Sequence, residues 1–299
     1  MIKHVAIICL LVISTLKVRG QIDLLRIEQQ QMVGQLSGKF ALENGSFLKS
    51  RDTPSARAVA RQYLAKQIED IGLKPKRQSY RMPNLNPLID MLFSPFKGAN
   101  VYTVIPASRK SDNYVVLGAH FDTELDCPGA IDNATGSTLI FSVGKMLYAL
   151  EERKMNVIIV FFDQEEEELI GSQAFAKFLK AENFNVHSVH TFDMVGWDED
   201  GNKEMELELP TPDLENAYQT KALELGIPLY VTSINSTDHH SFRQVGFQAI
   251  GINEAYGKRD STPYKDTPED TYETVNFDYL AESTMFVYAV IKEIINGGD

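Results

Sequence analysis

Short apolar runs that alternate with segments of helical length are the feature that most constrains the fold of this chain. From residue 100 onward six runs have the length of β-strands. They are residues 101–106, 114–119, 157–162, 189–192, 228–232 and 248–252. Apolar strands alternating with helices are typical of a mostly parallel sheet covered on both faces. The pattern predicts an α/β fold with a central, mixed but mostly parallel β-sheet.

The segments between these runs have helical spacing of apolar residues. Helices are predicted at about 136–151, 171–182, 212–225 and 278–296, with two more upstream at 22–43 and 55–72. Residues 81–98 contain three prolines and predict a long irregular insertion. No repeat or linker-like tract interrupts the pattern, so we expect one domain over residues 21–299.

Residues 1–20 have the pattern of a secretory signal. Lys3 precedes an apolar run of about 12 residues, and small residues precede a possible cut before Gln21. The run is shorter than the roughly 20 residues that a membrane-spanning helix needs. We therefore expect a secreted or periplasmic protein that has no membrane association after signal removal. Its net charge of −12 argues against nucleic acid as a partner.

Acidic and histidine side chains follow the predicted strands where each strand ends. His120 and Asp122 follow one run, Glu165–Glu168 follow another, and Asp193 follows a third, while Asp132 opens the next helix. In open α/β sheets the carboxyl ends of the strands form the ligand site, so we expect these groups to converge. Imidazole and carboxylate are zinc ligands, and a carboxylate can bridge two ions. Asp122 is placed to orient His120, and two adjacent glutamates can serve one as ligand and one as base.

With this ordered set the chain resembles the secreted co-catalytic zinc aminopeptidases, whose relatives include bacterial leucyl aminopeptidase, glutamate carboxypeptidase II, the transferrin receptor ectodomain and the glutaminyl cyclases. The resemblance runs from about Asn100 to the C-terminus. It implies two zinc ions and a peptide substrate with a free N-terminus, cleaved by a metal-activated water. Alignment on Gly171-Ser172 makes Glu165 the general base, although the run of four glutamates leaves that register open by one residue.

The resemblance also implies a ligand set. It assigns His120 and Asp193 to one zinc, Asp132 to a bridge between the two ions, Glu166 to the second zinc, and Asp122 to the orientation of His120. The last ligand of the family is a histidine near the C-terminus. At the matching position, within Tyr264–Thr271, this chain has Asp266.

Three explanations of that departure stay open. Asp266 is the ligand, which we favour, or His239 or His240 substitutes, or the second zinc site is weak or empty. A carboxylate in place of the imidazole adds negative charge, so we expect weaker activation of water and a looser preference for zinc over manganese.

Two other functions compete with an aminopeptidase. A glutaminyl-peptide cyclotransferase would use one zinc, but cyclases resemble this chain less because they keep the C-terminal histidine. A non-catalytic relative is the second alternative, and the retained base and ligands argue against it.

Overall fold

The protein was analysed as a computed structural model that describes residues 20–83, 86–93 and 96–297. The predicted signal segment lies, except for residue 20, outside these residues. Eight α-helices occur in the described part of the chain. They are α1 (20–36), α2 (Pro54–Asp70), α3 (Pro87–Phe93), α4 (Gly136–Tyr148), α5 (Ile170–Ala181), α6 (Pro212–Leu225), α7 (His239–Gln244) and α8 (Phe277–Gly297).

Eight strands form a single sheet. They are β1 (Lys76–Arg81), β2 (Lys97–Ile105), β3 (Asn113–His120), β4 (Asn156–Phe162), β5 (Asn185–Asp193), β6 (Met205–Glu208), β7 (Leu229–Thr232) and β8 (Ala249–Glu254). Their order is β1-β2-β4-β3-β5-β8-β6-β7. The four central strands β4, β3, β5 and β8 are mutually parallel, and the next strand on each side, β2 beside β4 and β6 beside β8, is antiparallel to them. The predicted mixed, mostly parallel α/β fold is confirmed.

The two faces of the sheet pack against different helices. Along β3, Val115, Leu117 and Ala119 belong to the larger core, whereas Val116 belongs to the smaller one on the other side. The larger core takes residues from α1, α2, α4, α6 and α8, and the smaller core takes residues from α5 and α7. Because strand side chains alternate in direction, a central strand buried on both faces is expected to be a nearly continuous apolar run, as β4 is.

Two strands lacked the apolar pattern that identified the others. The edge strand β1 has the sequence KRQSYR and is largely exposed, and β6 has the sequence MELE but is fully buried. The insertion predicted over 81–98 contains the short helix α3, whose residues Leu88, Met91, Leu92 and Phe93 are exposed. Among the described residues, no helix combines the length and apolarity that crossing a membrane requires.

Candidate metal centre

Three parallel strands end at one place and carry the candidate ligands there. His120 is the last residue of β3, Asp193 is the last residue of β5, and Glu165 and Glu166 follow β4. Since β3 lies between β4 and β5, its imidazole is flanked by groups from both neighbours. His120 Nε2 lies 3.1 Å from Asp132 Oδ1 and 3.3 Å from Asp193 Oδ1.

These distances suit a zinc site. With zinc–ligand bonds of about 2.0–2.1 Å, two ligand atoms of a tetrahedral site lie about 3.3 Å apart. Both His120 and Asp132 are buried, and Asp132 Oδ1 forms no hydrogen bond with any described residue. A buried carboxylate oxygen without a hydrogen-bond donor is costly unless a cation is near it. The donor set and its spacing therefore fit a divalent cation.

The ligand atoms form two groups that share one residue. His120, Asp132 and Glu166 have ligand atoms within 4.8 Å of one another, and so do His120, Glu165 and Asp193. The structure thus brings together five of the residues selected from the sequence at one edge of the sheet. Asp266 belongs to neither group, and its role as a ligand remains a prediction.

Asp122 accepts hydrogen bonds from the backbone of both candidate glutamates. Its Oδ1 accepts the backbone N–H of Glu165 at 3.0 Å, and its Oδ2 accepts that of Glu166 at 3.2 Å. Asp122 Oδ1 also lies 3.6 Å from His120 Nδ1, which is longer than a hydrogen bond. One buried carboxylate therefore fixes the backbone of both glutamates and faces the back of the imidazole.

Asp270 and Arg51 hold the loop that carries Asp132. The Asp270 carboxylate accepts the backbone N–H groups of Ile131 and Asp132, each at 2.9 Å. The fully buried guanidinium of Arg51 donates to Leu36 O at 2.6 Å, to Pro128 O at 2.7 Å, to Gly129 O at 2.8 Å and to Phe121 O. No sequence pattern predicts the role of Arg51, because the acceptors of its guanidinium are all main-chain carbonyls.

Lys265, which no pattern in the sequence marked, lies beside the centre with its neighbour Asp266, whose pKa is raised by partial burial and then by repulsion from Asp132. Lys265 Nζ lies 3.8 Å from Asp132 Oδ2, whereas Asp266 is exposed. Asp266 has a φ of +60°, a left-handed conformation that is uncommon for a residue with a side chain. The only sequence feature that could have pointed to Lys265 is its position directly before Asp266, the expected last ligand.

The charges of the centre are strongly coupled. Burial, followed by repulsion from Asp132, raises the pKa of Glu166 to about 9. Burial also raises the pKa of Glu165, against the attraction of His120. Burial disfavours the imidazolium of His120, but Glu165 and Asp193 outweigh it and raise its pKa. Carboxylates crowded in this way are stabilised by positive charge among them.

The two histidines considered as substitutes for the missing ligand lie elsewhere. Neither His239 nor His240 belongs to a ligand group among the residues described here. His239 is buried, with its Nδ1 2.9 Å from Thr237 Oγ1 and 3.5 Å from Glu208 Oε2. His240 Nε2 is hydrogen-bonded to the side chain of Gln244 at 2.8 Å.

Comparison with known proteins gives a family match and distant relatives. The profile of Peptidase family M28 matches residues 100–291. Aminopeptidase YwaD of Bacillus subtilis (strain 168) is 27% identical over 202 residues, which are 64% of this chain and 43% of that protein. A probable leucine aminopeptidase of Arthroderma otae is 25% identical over 78% of this chain and 64% of its own length. The chain therefore spans less than two thirds of the length of these relatives.

Solved structures share the fold over nearly the whole chain. BSAP, a zinc aminopeptidase from Bacillus subtilis, superposes with a TM-score of 0.78 at 14% identity, covering 90% of this chain and 95% of that one. The glutaminyl cyclase of Porphyromonas gingivalis superposes with a TM-score of 0.72 at 17% identity, covering 90% and 98% of the two chains. At these identities the likeness concerns the fold alone.

Proposed function

The chain belongs to peptidase family M28, and on that premise we propose that it is a zinc-dependent aminopeptidase that hydrolyses the N-terminal peptide bond of peptides. The observation that carries the proposal is His120 Nε2 facing one carboxylate oxygen of Asp132 and one of Asp193, with Glu165 and Glu166 beside them. Relatives described as aminopeptidases support the same reaction.

His120, Asp132 and Asp193 would hold a zinc ion, and Glu166 lies next to Asp132 as a further donor. When bound, zinc supplies a Lewis acid that polarises the scissile carbonyl and makes water a stronger nucleophile. Two ions were the expectation from sequence. The second would have to be held by Asp132, Glu166 and Asp266, a set of carboxylates without an imidazole.

Glu165 is the residue we assign as general base. Its carboxylate lies within 4.8 Å of the ligand atoms of His120 and Asp193, which is close enough to reach a water at the centre. Glu165 would accept a proton from the attacking water and return it to the nitrogen of the leaving amine. Asp122 fixes its backbone through the 3.0 Å hydrogen bond, so the base is held at the end of β4 rather than on a free loop.

The charge of the centre suits the substrate class. Asp132, Glu165, Glu166 and Asp193 surround one imidazole, and the chain carries a net charge of −12. An excess of carboxylates attracts the ammonium group of a free peptide N-terminus. We also propose that the protein acts after export, as the sequence of residues 1–20 suggests.

The test is the variant Glu165→Gln, compared with the wild type on aminoacyl reporter substrates. We expect a fall in kcat of about 10²–10⁴-fold, since a positioned base contributes about that much. The zinc content measured by inductively coupled plasma mass spectrometry should stay unchanged. A variant that keeps wild-type turnover would remove Glu165 from its assigned role.

A matched pair of substrates tests the exopeptidase reaction. The same aminoacyl reporter with a free and with an acetylated N-terminus should differ sharply, with hydrolysis only of the free form. Equal hydrolysis of both would refute an aminopeptidase. Release of ammonia from a peptide that begins with glutamine would indicate the cyclotransferase reaction instead.

A further inference from the structure

The imidazole of His120 limits how many ions the ligand groups can hold. Both groups of ligand atoms contain His120, and the nitrogen that faces Asp132 and Asp193 is Nε2. An imidazole nitrogen has one lone pair and binds one metal ion. An ion at the first position uses that lone pair, so a second ion at Asp132 and Glu166 would have no imidazole ligand.

The loop that should complete a second site is anchored correctly but presents a different residue. Asp270 fixes it to the backbone of Ile131 and Asp132, and Ala130 N–H donates to Asp270 O at 3.2 Å. The segment before Asp270 is thus held beside the carboxylate of Asp132. Lys265 of that segment forms an ion pair with this carboxylate, with Nζ 3.8 Å from Oδ2 and the lysine side chain 38% exposed, while Asp266 is exposed.

The two oxygens of Asp132 consequently have different partners. Oδ1 lies 3.1 Å from His120 Nε2, on the side of the first ion, and Oδ2 faces the ammonium of Lys265. Asp132 would hold a zinc ion together with His120, and a bridging carboxylate would need its other oxygen free for a second ion.

We propose that the ammonium group of Lys265 takes the place of the second metal ion, so that the protein binds one zinc per chain. The proposal rests on the proposed function only in taking zinc as the ion at His120. An ammonium carries one positive charge and donates hydrogen bonds, so it offsets part of the carboxylate charge at this position without coordination. It also repels a second cation from the same carboxylates.

The test counts zinc in the full chain after loading and removal of loosely bound metal. Lys265→Met removes the charge but keeps a long apolar side chain. We expect about one zinc per chain in the wild type and about two in Lys265→Met, because Asp132, Glu166 and Asp266 are then free of the ammonium. Lys265→Arg keeps the charge and should stay at one.

The control has the same change of net charge away from the centre. Lys145 pairs with Glu28 at 2.8 Å on the helix α4, and Lys145→Met should bind one zinc. Another group of acids, Asp198, Asp200 and Asp260, offers only oxygen ligands. Millimolar calcium in the buffer should occupy it in preference to zinc, because calcium prefers oxygen donors.

Two zinc ions in the wild type, or one in Lys265→Met, would overturn the role of Lys265 and leave the proposed function intact. Absence of bound zinc in the wild type, or retention of zinc by His120→Ala, would overturn the assignment of the zinc position itself. Circular dichroism and the unfolding midpoint of each variant show whether it has folded, and only folded variants enter the zinc count. Lys265→Gln, which also removes the charge, provides a second variant for the comparison.

Discussion

Replacing Arg51 by methionine should strongly destabilise the protein. We expect a larger loss of stability than for the other charge-removing substitutions outside the metal centre. Arg51 is fully buried, and its guanidinium donates to four main-chain carbonyls of residues 36, 121, 128 and 129. No carboxylate forms an ion pair with it in the described part of the chain. Methionine fills much of the same space and donates no hydrogen bond.

The size of the effect follows from the carbonyls that lose their donor. Gly129 O keeps the hydrogen bond from Ala134 N–H at 3.1 Å, so three carbonyls, those of Leu36, Phe121 and Pro128, are left without the donor that Arg51 supplied. A buried group left without a partner costs about 1–3 kcal/mol. The variant also avoids the free-energy cost of removing a guanidinium from water, which offsets part of the summed cost of the three carbonyls. We expect a loss of about 3–5 kcal/mol.

The assay is urea unfolding of the metal-free protein, since bound metal would add its own stabilisation. Arg153→Met is the matched control. Arg153 also donates to four carbonyls, those of Pro106, Leu147, Tyr148 and Leu150, but it is partly exposed. Water can replace its hydrogen bonds, so we expect a loss of about 1 kcal/mol or less.

Comparing the stability losses of the two arginine variants tests whether burial of the carbonyls explains the importance of Arg51. If Arg51→Met loses less than about 1 kcal/mol, or no more than Arg153→Met, then burial of the carbonyls is not what makes Arg51 important. The unfolding slope m must agree among the three proteins, because a changed slope would mean a change in the unfolded or intermediate states.

Two further predictions concern buried groups away from the metal centre. His190 is buried and hydrogen-bonded to Ser188 and Tyr218, and burial lowers its pKa to about 3. As the pH falls, the unfolded chain therefore binds this proton before the folded protein does. Through His190 alone, the free energy of unfolding of the metal-free protein should fall by about 2 kcal/mol from pH 6.5 to 4.5. In His190→Gln this part of the dependence of stability on pH should be missing. A Cβ on Gly171 would lie 2.0 Å from Asp163 O, so Gly171→Ala should lose more than about 3 kcal/mol in the same unfolding assay. Gly201→Ala has no atom within 4 Å and should lose only about 1 kcal/mol through its φ of +72°. Equal losses, or an unchanged pH slope, would contradict these assignments.

Most of the fold and the position of the site could be predicted because both depend on local pattern. The central strands β3 and β4 are nearly continuous apolar runs, and a ligand that follows such a strand must lie at its carboxyl end. His120, Asp193 and the glutamates after β4 therefore converge without any knowledge of tertiary contacts. Strands β1 and β6 were missed because their polar side chains lack that pattern.

The supporting residues could not be predicted because they act across long stretches of sequence. Arg51 holds a loop that begins 70 residues later, and Asp270 holds the backbone of Asp132 from 138 residues away. Neither contact has a periodicity or a spacing that marks it. Asp163 directly follows β4, as Glu165 and Glu166 do a little later, yet it pairs with Arg57 at 2.8 Å and Arg61 at 2.7 Å.

Two residues near the C-terminus, Asp266 at the position of the expected histidine and Lys265 before it, are best understood when their charges are considered together. A neutral imidazole replaced by Asp266 would leave the second position one unit more negative, and with Asp132 and Glu166 it would consist of carboxylates alone. Lys265, the residue before it, contacts Asp132 Oδ2 and restores one positive charge. With a single zinc ion at His120, the charge of the ion and of the ammonium together is +3. That sum equals the charge of Asp132, Glu166 and Asp193 with its sign reversed, and one negative charge, that of Asp266, remains at the exposed edge of the centre.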